Sequence, residues 1–158
     1  MQIPKITDLD IVAFHPRHLE VAVVREYEEA FLKRLEGAYD KIEALAKRSV
    51  EAVTLLHDGR IITCCGFLML MPGVCELWQI PSIYAQQSPL LFSKAMKLFV
   101  EIIAQNFNVR RMQTTAPADE LHDRWLEFLG FECDGILRHY SGENQHHKMW
   151  SRLWELIQ

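Results

Sequence analysis

Residues 50–71, VEAVTLLHDGRIITCCGFLMLM, carry the clearest structural signal in this sequence. The Asp58-Gly59 pair separates two runs that are rich in apolar and β-branched residues, and this arrangement is the strongest short signal for a β-hairpin. We therefore predict two antiparallel strands, Val50 to His57 and Arg60 to Met71. The sequence Met71-Pro72-Gly73 then forms a turn, and residues 74–80 return as the third strand of a meander.

Helices are predicted upstream of this meander. Gln2 to Ile6 is predicted to be a short strand, and Thr7 to Asp10 a helix entry whose side-chain oxygens cap free backbone amides. From Arg17 to Glu36 the apolar residues recur every three or four positions, which predicts an amphipathic helix that Gly37 ends or bends. A second amphipathic helix is predicted over Asp40 to Arg48.

Helices and strands alternate after the meander. Ser88-Pro89 predicts the start of a helix that runs to about Phe107, because serine caps helices and proline fits the first helical position. A strand over Val109 to Thr115 and a helix from Pro117 to Leu129 follow, and Gly130 ends that helix. Phe131 to Tyr140 and His146 to Leu153 complete the chain as a hairpin. The sequence thus predicts a mixed α/β (α+β) fold, with a mostly antiparallel central sheet flanked by helices, in one domain over residues 1–158.

The composition restricts the classes of function. With 158 residues, 49% of them hydrophobic, the chain is long enough for one domain with a core. Its 17 basic and 21 acidic residues are mixed, so no basic block predicts a nucleic-acid partner. No apolar run approaches the ~18 residues of a membrane span, and the first residues lack the layout of a signal peptide. We expect the protein to stay in the cytoplasm where it is made.

Cysteines and histidines offer no clear metal motif. The four cysteines lie in apolar surroundings and are predicted to be reduced, buried thiols, without the paired spacing that zinc requires. His139, His146 and His147 could gather on one face of the last hairpin. Exposed polar strand residues are the favoured interpretation, and no metal is predicted.

Residues 125–132, WLEFLGFE, join the predicted helix to the strand that follows it. Both in its residues and in its position among the predicted helices and strands, this segment resembles the connection between the fourth helix and the sixth strand of the GNAT (Gcn5-related N-acetyltransferase) superfamily. The resemblance in element order extends over nearly the whole chain. It implies a GNAT-like acyl-CoA N-acyltransferase fold.

Scattered features resemble one phage group within that superfamily, the internal virion protein A family of short-tailed bacteriophages. They are Ile3 to Phe14 followed by Pro16, Val53 to Leu55, Cys75 to Trp78, and the helix end at Gly130. This resemblance implies a bacteriophage or prophage protein that is needed for particle assembly or host-cell entry. Its partners would be other phage virion or host proteins, or further copies of itself, in the host cytoplasm or packaged in the virion.

The GNAT resemblance also implies acetyl-CoA, whose pyrophosphate is held by the backbone amides of a Gln/Arg-x-x-Gly-x-Gly/Ala loop. The corresponding stretch, Ile83 to Met96, contains no glycine. If Gln86 takes the first position of the motif, Pro89 and Leu91 replace the glycines; if Gln87 does, Leu90 and Phe92 replace them. We therefore expect no cofactor. If acetyl-CoA did bind, the implied contacts would be Ile80, Gln86, Gln87 and Ser88.

The catalytic positions are only partly filled. Glu76 resembles the glutamate that many family members use as a base, although a solvent-facing or edge-strand glutamate is the favoured interpretation. The tyrosine that protonates the leaving thiolate would fall at Leu126, and Tyr84 and Tyr140 are the possible substitutes. Three hypotheses stay open: a degenerate GNAT-fold protein that binds other proteins without catalysis, an acetyl-CoA-dependent N-acetyltransferase with a divergent loop, and a host-interaction protein that borrows the fold.

Overall fold

The computed structural model describes residues 9–22, 33 and 37–155 of the chain. Within them the elements are β1 (Leu9–Ala13), α1 (Arg17–Val21), α2 (Ala38–Arg48), β2 (Glu51–His57), β3 (Arg60–Met71), β4 (Val74–Pro81), α3 (Ile83–Gln87), α4 (Pro89–Asn106), β5 (Arg111–Pro117), α5 (Glu120–Phe128), β6 (Glu132–Gly142) and β7 (Gln145–Leu153). Seven strands of this described part form one sheet in the order β1-β2-β3-β4-β5-β7-β6. The mixed α/β architecture confirms the predicted fold class.

The described chain divides into two compact units. One contains Met69–Glu76 and residues 93–155, and the other contains residues 9–22, 37–68 and Leu77–Phe92. We refer to the first as the C-terminal unit and to the second as the N-terminal unit. The single-domain organisation expected from the sequence stays a prediction.

In the N-terminal unit, the β2–β3 hairpin forms as predicted. Asp58 and Gly59 have φ angles of 50° and 73°, and positive φ at both positions is what a two-residue type I′ turn requires. The turn places His57 directly opposite Arg60. Strand β3 is buried from residue 61 to residue 68, and its Ile61 and Cys64 share a core cluster with Leu19 of α1 and Ile42 of α2.

In the C-terminal unit, β5 has a parallel neighbour on one side and an antiparallel neighbour on the other. It runs parallel to β4 from Val74↔Arg111 to Glu76↔Gln113 and antiparallel to β7, which in turn pairs with β6. A parallel neighbour requires a crossover connection, and α4 provides it. The buried side chains of α4 within this unit are apolar: Ala95, Met96, Phe99, Val100, Ile103 and Ala104.

The end of α5 confirms the helix stop predicted at Gly130. Gly130 has a φ of 88° and donates its N–H to the Glu127 carbonyl at 3.0 Å, while Phe131 donates to the Leu126 carbonyl at 2.9 Å. These two bonds define a Schellman motif, in which a left-handed residue, usually glycine, ends the helix.

The prediction for the N-terminal residues was wrong in part. The helix entry expected over Thr7 to Asp10 is contradicted at Leu9 and Asp10, since Leu9–Ala13 is a strand that pairs antiparallel with β2 from Leu9↔His57 to Ala13↔Val53. Ladder bonds to a buried strand outweigh the local capping signal. The strand expected over Gln2 to Ile6 lies outside the described residues. The helix expected to run unbroken from Arg17 to Glu36 ends at Val21, because Ala22 is extended with φ of −71° and ψ of 127°. Of the remaining residues of that prediction only Lys33, which is helical, is described.

Three further differences concern boundaries and exposure. A short helix, α3, precedes the predicted start at Pro89, and β5 spans Arg111–Pro117 rather than Val109 to Thr115. Cys133 is exposed, contrary to the expectation of four buried thiols, whereas the other three cysteines are buried. His147, expected to be an exposed strand residue, is buried.

Candidate functional site

The connection between β4 and α4 is the place where the resemblance implies a cofactor. Here α3 turns the chain, and Ser82 fixes α3 to β3: the Ser82 hydroxyl donates to the Ile61 carbonyl at 2.6 Å and accepts the Tyr84 N–H at 3.1 Å. The Ser82 N–H donates to the Ile62 carbonyl at 2.8 Å. The junction is therefore a short capped helix held against a buried strand.

Three backbone amides of this junction donate within the protein. Ala85 donates to the Ser82 carbonyl, Ser88 to the Tyr84 carbonyl, and Phe92 to the Ser88 carbonyl, at 3.0–3.3 Å. Pro89 has no N–H to offer. Because a pyrophosphate cradle consists of backbone N–H groups that point at the ligand, the residues present do not fit the cradle that the resemblance implies.

The side chains at the junction occupy the positions where glycines would lie. Leu90 is 75% exposed and Phe92 is buried, whereas glycine in these positions would let a ligand approach the backbone. Of the residues implied to contact a cofactor, Gln86 and Gln87 are exposed and Ser88 is half-buried. Ile80 packs against the core cluster of the N-terminal unit, and its carbonyl accepts the Thr63 hydroxyl at 3.3 Å.

Glu76, the candidate base, lies on β4 in the C-terminal unit. It is half-buried and is paired in the parallel register with Gln113. Strand β4 has a neighbour on both sides in the sheet, so the edge-strand interpretation of Glu76 is wrong. Its role as a base stays a prediction.

None of the candidate tyrosines stands at the position that the resemblance implies. Leu126, which takes that position, is buried at 2% exposure. Tyr140 lies on β6, where its ring centroid is 4.9 Å from that of His147. Tyr84 lies on α3 under the Arg60 guanidinium, with Cζ 5.0 Å from the ring centroid.

Two cavities of the N-terminal unit share the walls formed by Arg60 and Tyr84. The more polar one has a volume of about 370 Å³, and its lining comprises His57, Asp58, Arg60, Ile62, Tyr84, Gln87 and Ser88. The second, of about 350 Å³, is mainly apolar, and its lining comprises His18, Val21, Ala22, Leu56, Gly59, Arg60, Ile61 and Tyr84. Sequence reasoning named Gln87 and Ser88 but missed His57 and Arg60, because only folding brings the hairpin turn to α3.

The cysteines and histidines show no metal site in the described part of the chain, where no three His, Cys, Asp or Glu side chains are grouped to hold an ion. His139 and His146 do come together, with ring centroids 5.1 Å apart. Burial raises the pKa of Cys64 to about 11 and that of Cys75 to about 12. These thiols stay protonated at neutral pH.

Comparison with known proteins supports the fold. No family model and no curated protein matches the sequence. Among solved structures, Ard1 from Thermoplasma volcanium superimposes with a TM-score of 0.76 at 14% identity, over 96% of this chain and 100% of that one. A GNAT-family acetyltransferase from Bacillus anthracis gives 0.69 at 12% identity, over 94% and 96%. RimL, the ribosomal L7/L12 alpha-N-protein acetyltransferase, in complex with coenzyme A, gives 0.69 at 14%, over 96% and 97%.

Identities this low establish the architecture alone. The chain has the GNAT acyl-CoA N-acyltransferase fold, as the sequence resemblance implied. Among the described residues, no helix is long and apolar enough to cross a membrane.

Proposed function

We propose that this chain is a GNAT-fold protein that acts without catalysis by binding other proteins, in the assembly of a bacteriophage particle or as an internal virion component. The observation that carries the non-catalytic part is the junction between β4 and α4. There the Ala85, Ser88 and Phe92 amides donate within the protein and Pro89 has no N–H, so these four positions offer no donor to a nucleotide diphosphate. The phage part of the proposal rests on the sequence resemblance described above.

Leu126 supports the same proposal independently. A buried leucine takes the position of the proton donor, and its side chain has no proton to give to a leaving thiolate. Loss of the phosphate cradle and loss of the acid together remove both binding and turnover. A fold kept without its chemistry is consistent with a role in protein association, because function lies in sites rather than in folds.

Calorimetric titration with acetyl-CoA tests the non-catalytic part. We expect no saturable heat at micromolar ligand, with RimL, which has been solved with coenzyme A, as the positive control under the same conditions. Saturable binding of acetyl-CoA by this chain would overturn the non-catalytic part.

Quantitative mass spectrometry of purified particles tests the virion part. We expect a reproducible copy number of this chain per particle, and co-purification with virion proteins from infected cells. Recovery with host proteins alone, and none in particles, would favour the host-interaction hypothesis instead.

An acetyl-CoA-dependent N-acetyltransferase is the second candidate, and the position of Glu76 favours it. A half-buried carboxylate on an interior strand is suited to accept a proton from an amine. Under this hypothesis Glu76→Gln lowers turnover by about 10²–10⁴-fold, whereas Glu132→Gln, on the exposed start of β6, leaves it unchanged. Measurable turnover that is equal in the wild type and the Glu76→Gln variant removes Glu76 from the mechanism, and no turnover in either protein removes this candidate.

A further inference from the structure

The polar cavity beside the β2–β3 turn contains a cluster of side-chain hydrogen-bond donors. Its lining includes the Arg60 guanidinium, the His57 imidazole, the Ser88 hydroxyl and the Gln87 amide. A guanidinium presents five N–H donors in a planar fork that matches the oxygens of an anion. The donors at this site belong to side chains, in contrast to the backbone amides of the nearby junction.

The Arg60 side chain is positioned by two independent features. The type I′ turn sets Arg60 across from His57 at the end of the hairpin, and the face of the Tyr84 ring lies 5.0 Å from the Arg60 Cζ. Tyr84 is itself fixed, because its N–H is bound by the Ser82 hydroxyl, which also binds β3. Cation–π contact of this kind holds a guanidinium in place without neutralising its charge.

The charge balance of the cavity favours an anion. Asp58 is the one acidic side chain in the lining among the described residues; its side chain is 81% exposed, and its Oδ2 lies 3.9 Å from the His57 Nε2. The carboxylate thus reaches mainly into solvent. The Arg60 charge remains available to a ligand.

We propose that this cavity binds the phosphate group of a small phosphorylated molecule through Arg60, with Ser88 and Gln87 as further donors. A phosphate group accepts more hydrogen bonds than a carboxylate and therefore uses a larger share of these donors. The volume of about 370 Å³ lies at the lower end of the range for small-molecule sites, ~300–1,000 Å³. The site shares Gln87 and Ser88 with the implied cofactor contacts. The inference does not depend on the proposed function, since its principal donor, Arg60, lies on β3 and is not among those contacts.

Calorimetric titration of the full chain with inorganic pyrophosphate provides the test. We expect saturable binding that Arg60→Gln weakens by about 10- to 100-fold, the range for losing a charged hydrogen-bond partner, while Arg138→Gln on the exposed part of β6 has no effect. Absence of binding by the wild type, or an equal loss in both variants, would overturn the proposal. Succinate binding as tightly as pyrophosphate would overturn its assignment to phosphate.

The Asp58→Asn variant distinguishes an anion-binding cavity from a turn that has only a structural role. Asparagine tolerates the positive φ of the turn, so the hairpin is kept while the opposing charge is removed. Pyrophosphate should then bind several-fold more tightly, and weaker binding would contradict the proposal.

Amide chemical shifts that move at residues 57–60 and 84–88, and not elsewhere, would locate the ligand in the cavity. Acetyl-CoA is titrated separately, so failure of this proposal and failure of the proposed function are distinguishable.

Discussion

At the scale of single residues, the four cysteines differ in their surroundings. Cys64, Cys65 and Cys75 are fully buried, and Cys133 is exposed. Desolvation disfavours the charged thiolate, and it raises the pKa of all three buried thiols. Since the thiolate is the nucleophile, reactivity should follow this division.

Alkylation of the native protein at pH 8 should therefore modify one cysteine of the four. Intact-mass spectrometry after brief treatment with iodoacetamide should show a single adduct, assigned to Cys133 by peptide mapping, and four adducts after unfolding in guanidinium. A Cys133→Ser variant should show none in the native state. Rapid labelling of Cys64 or Cys75 in the folded protein would contradict the burial of these thiols.

At the scale of elements, Gly66 allows β3 to pass Trp78 closely. A Cβ atom at Gly66 would lie 2.5 Å from the Glu51 carbonyl oxygen and 2.8 Å from two atoms of the Trp78 ring. The indole cannot move freely, because its Nε1 donates to the Ser49 hydroxyl at 2.9 Å. Its ring also packs edge-on against the Phe14 ring, with 5.6 Å between the ring centroids. The N-terminal unit therefore requires glycine at this position.

We expect Gly66→Ala to lower the free energy of unfolding by ~1–3 kcal/mol, the usual cost of overpacking a core. Urea denaturation monitored by tryptophan fluorescence measures this change. Gly135→Ala is the matched control, since a Cβ there meets nothing within 4 Å. Equal stability of the two variants would show that Trp78 can move away from β3.

The beginning of α5 depends on one side chain. Asp119 is the N-cap, and its carboxylate accepts the His122 N–H at 2.8 Å. Asp119→Ala should cost about 0.5–2 kcal/mol in the free energy of unfolding. Asp119→Asn, which keeps a capping oxygen, should cost much less in the same urea titration. A similar loss in both variants would mean that the carboxylate charge, rather than the cap, stabilises the helix.

At the scale of the whole molecule, two histidines link stability to pH. Burial, followed by the nearby charge of His15, lowers the pKa of His18, and burial with the charge of His122 lowers the pKa of His147. Both folded-state pKa values lie below the ordinary 6.5. Below about pH 6.5 the unfolded chain thus binds more protons than the folded chain, and stability decreases as the pH falls.

The free energy of unfolding should be flat from pH 8 to 7 and decline from about pH 6.5 to 5, with a slope of at most ~1.4 kcal/mol per pH unit for each histidine. Urea titrations across this range measure it. Asp134, whose pKa the Arg111 side chain lowers, contributes only at more acid pH. His147→Asn should flatten the decline, whereas His139→Asn, an exposed control, should leave the slope unchanged. A profile that rises on acidification would have the wrong sign.

Features that local interactions control could be predicted from the sequence. Asp58-Gly59 encodes its turn through positive φ angles, Pro89 marks the first residue of α4, and Gly130 ends α5 through two backbone bonds. Each depends on residues within a few positions of one another. The amphipathic spacing of α2 is likewise readable along the chain, and so is the absence of glycine between β4 and α4.

Other features depend on contacts between segments that are distant in the sequence. Leu9–Ala13 became a strand because β2 offers it a ladder, and His147 is buried because the β6–β7 hairpin packs against its neighbours. The cavity of Arg60 exists because the β2–β3 turn meets α3, more than twenty residues further along the chain. Burial and long-range contact depend on which segments come together in space, and no short window of sequence contains that information.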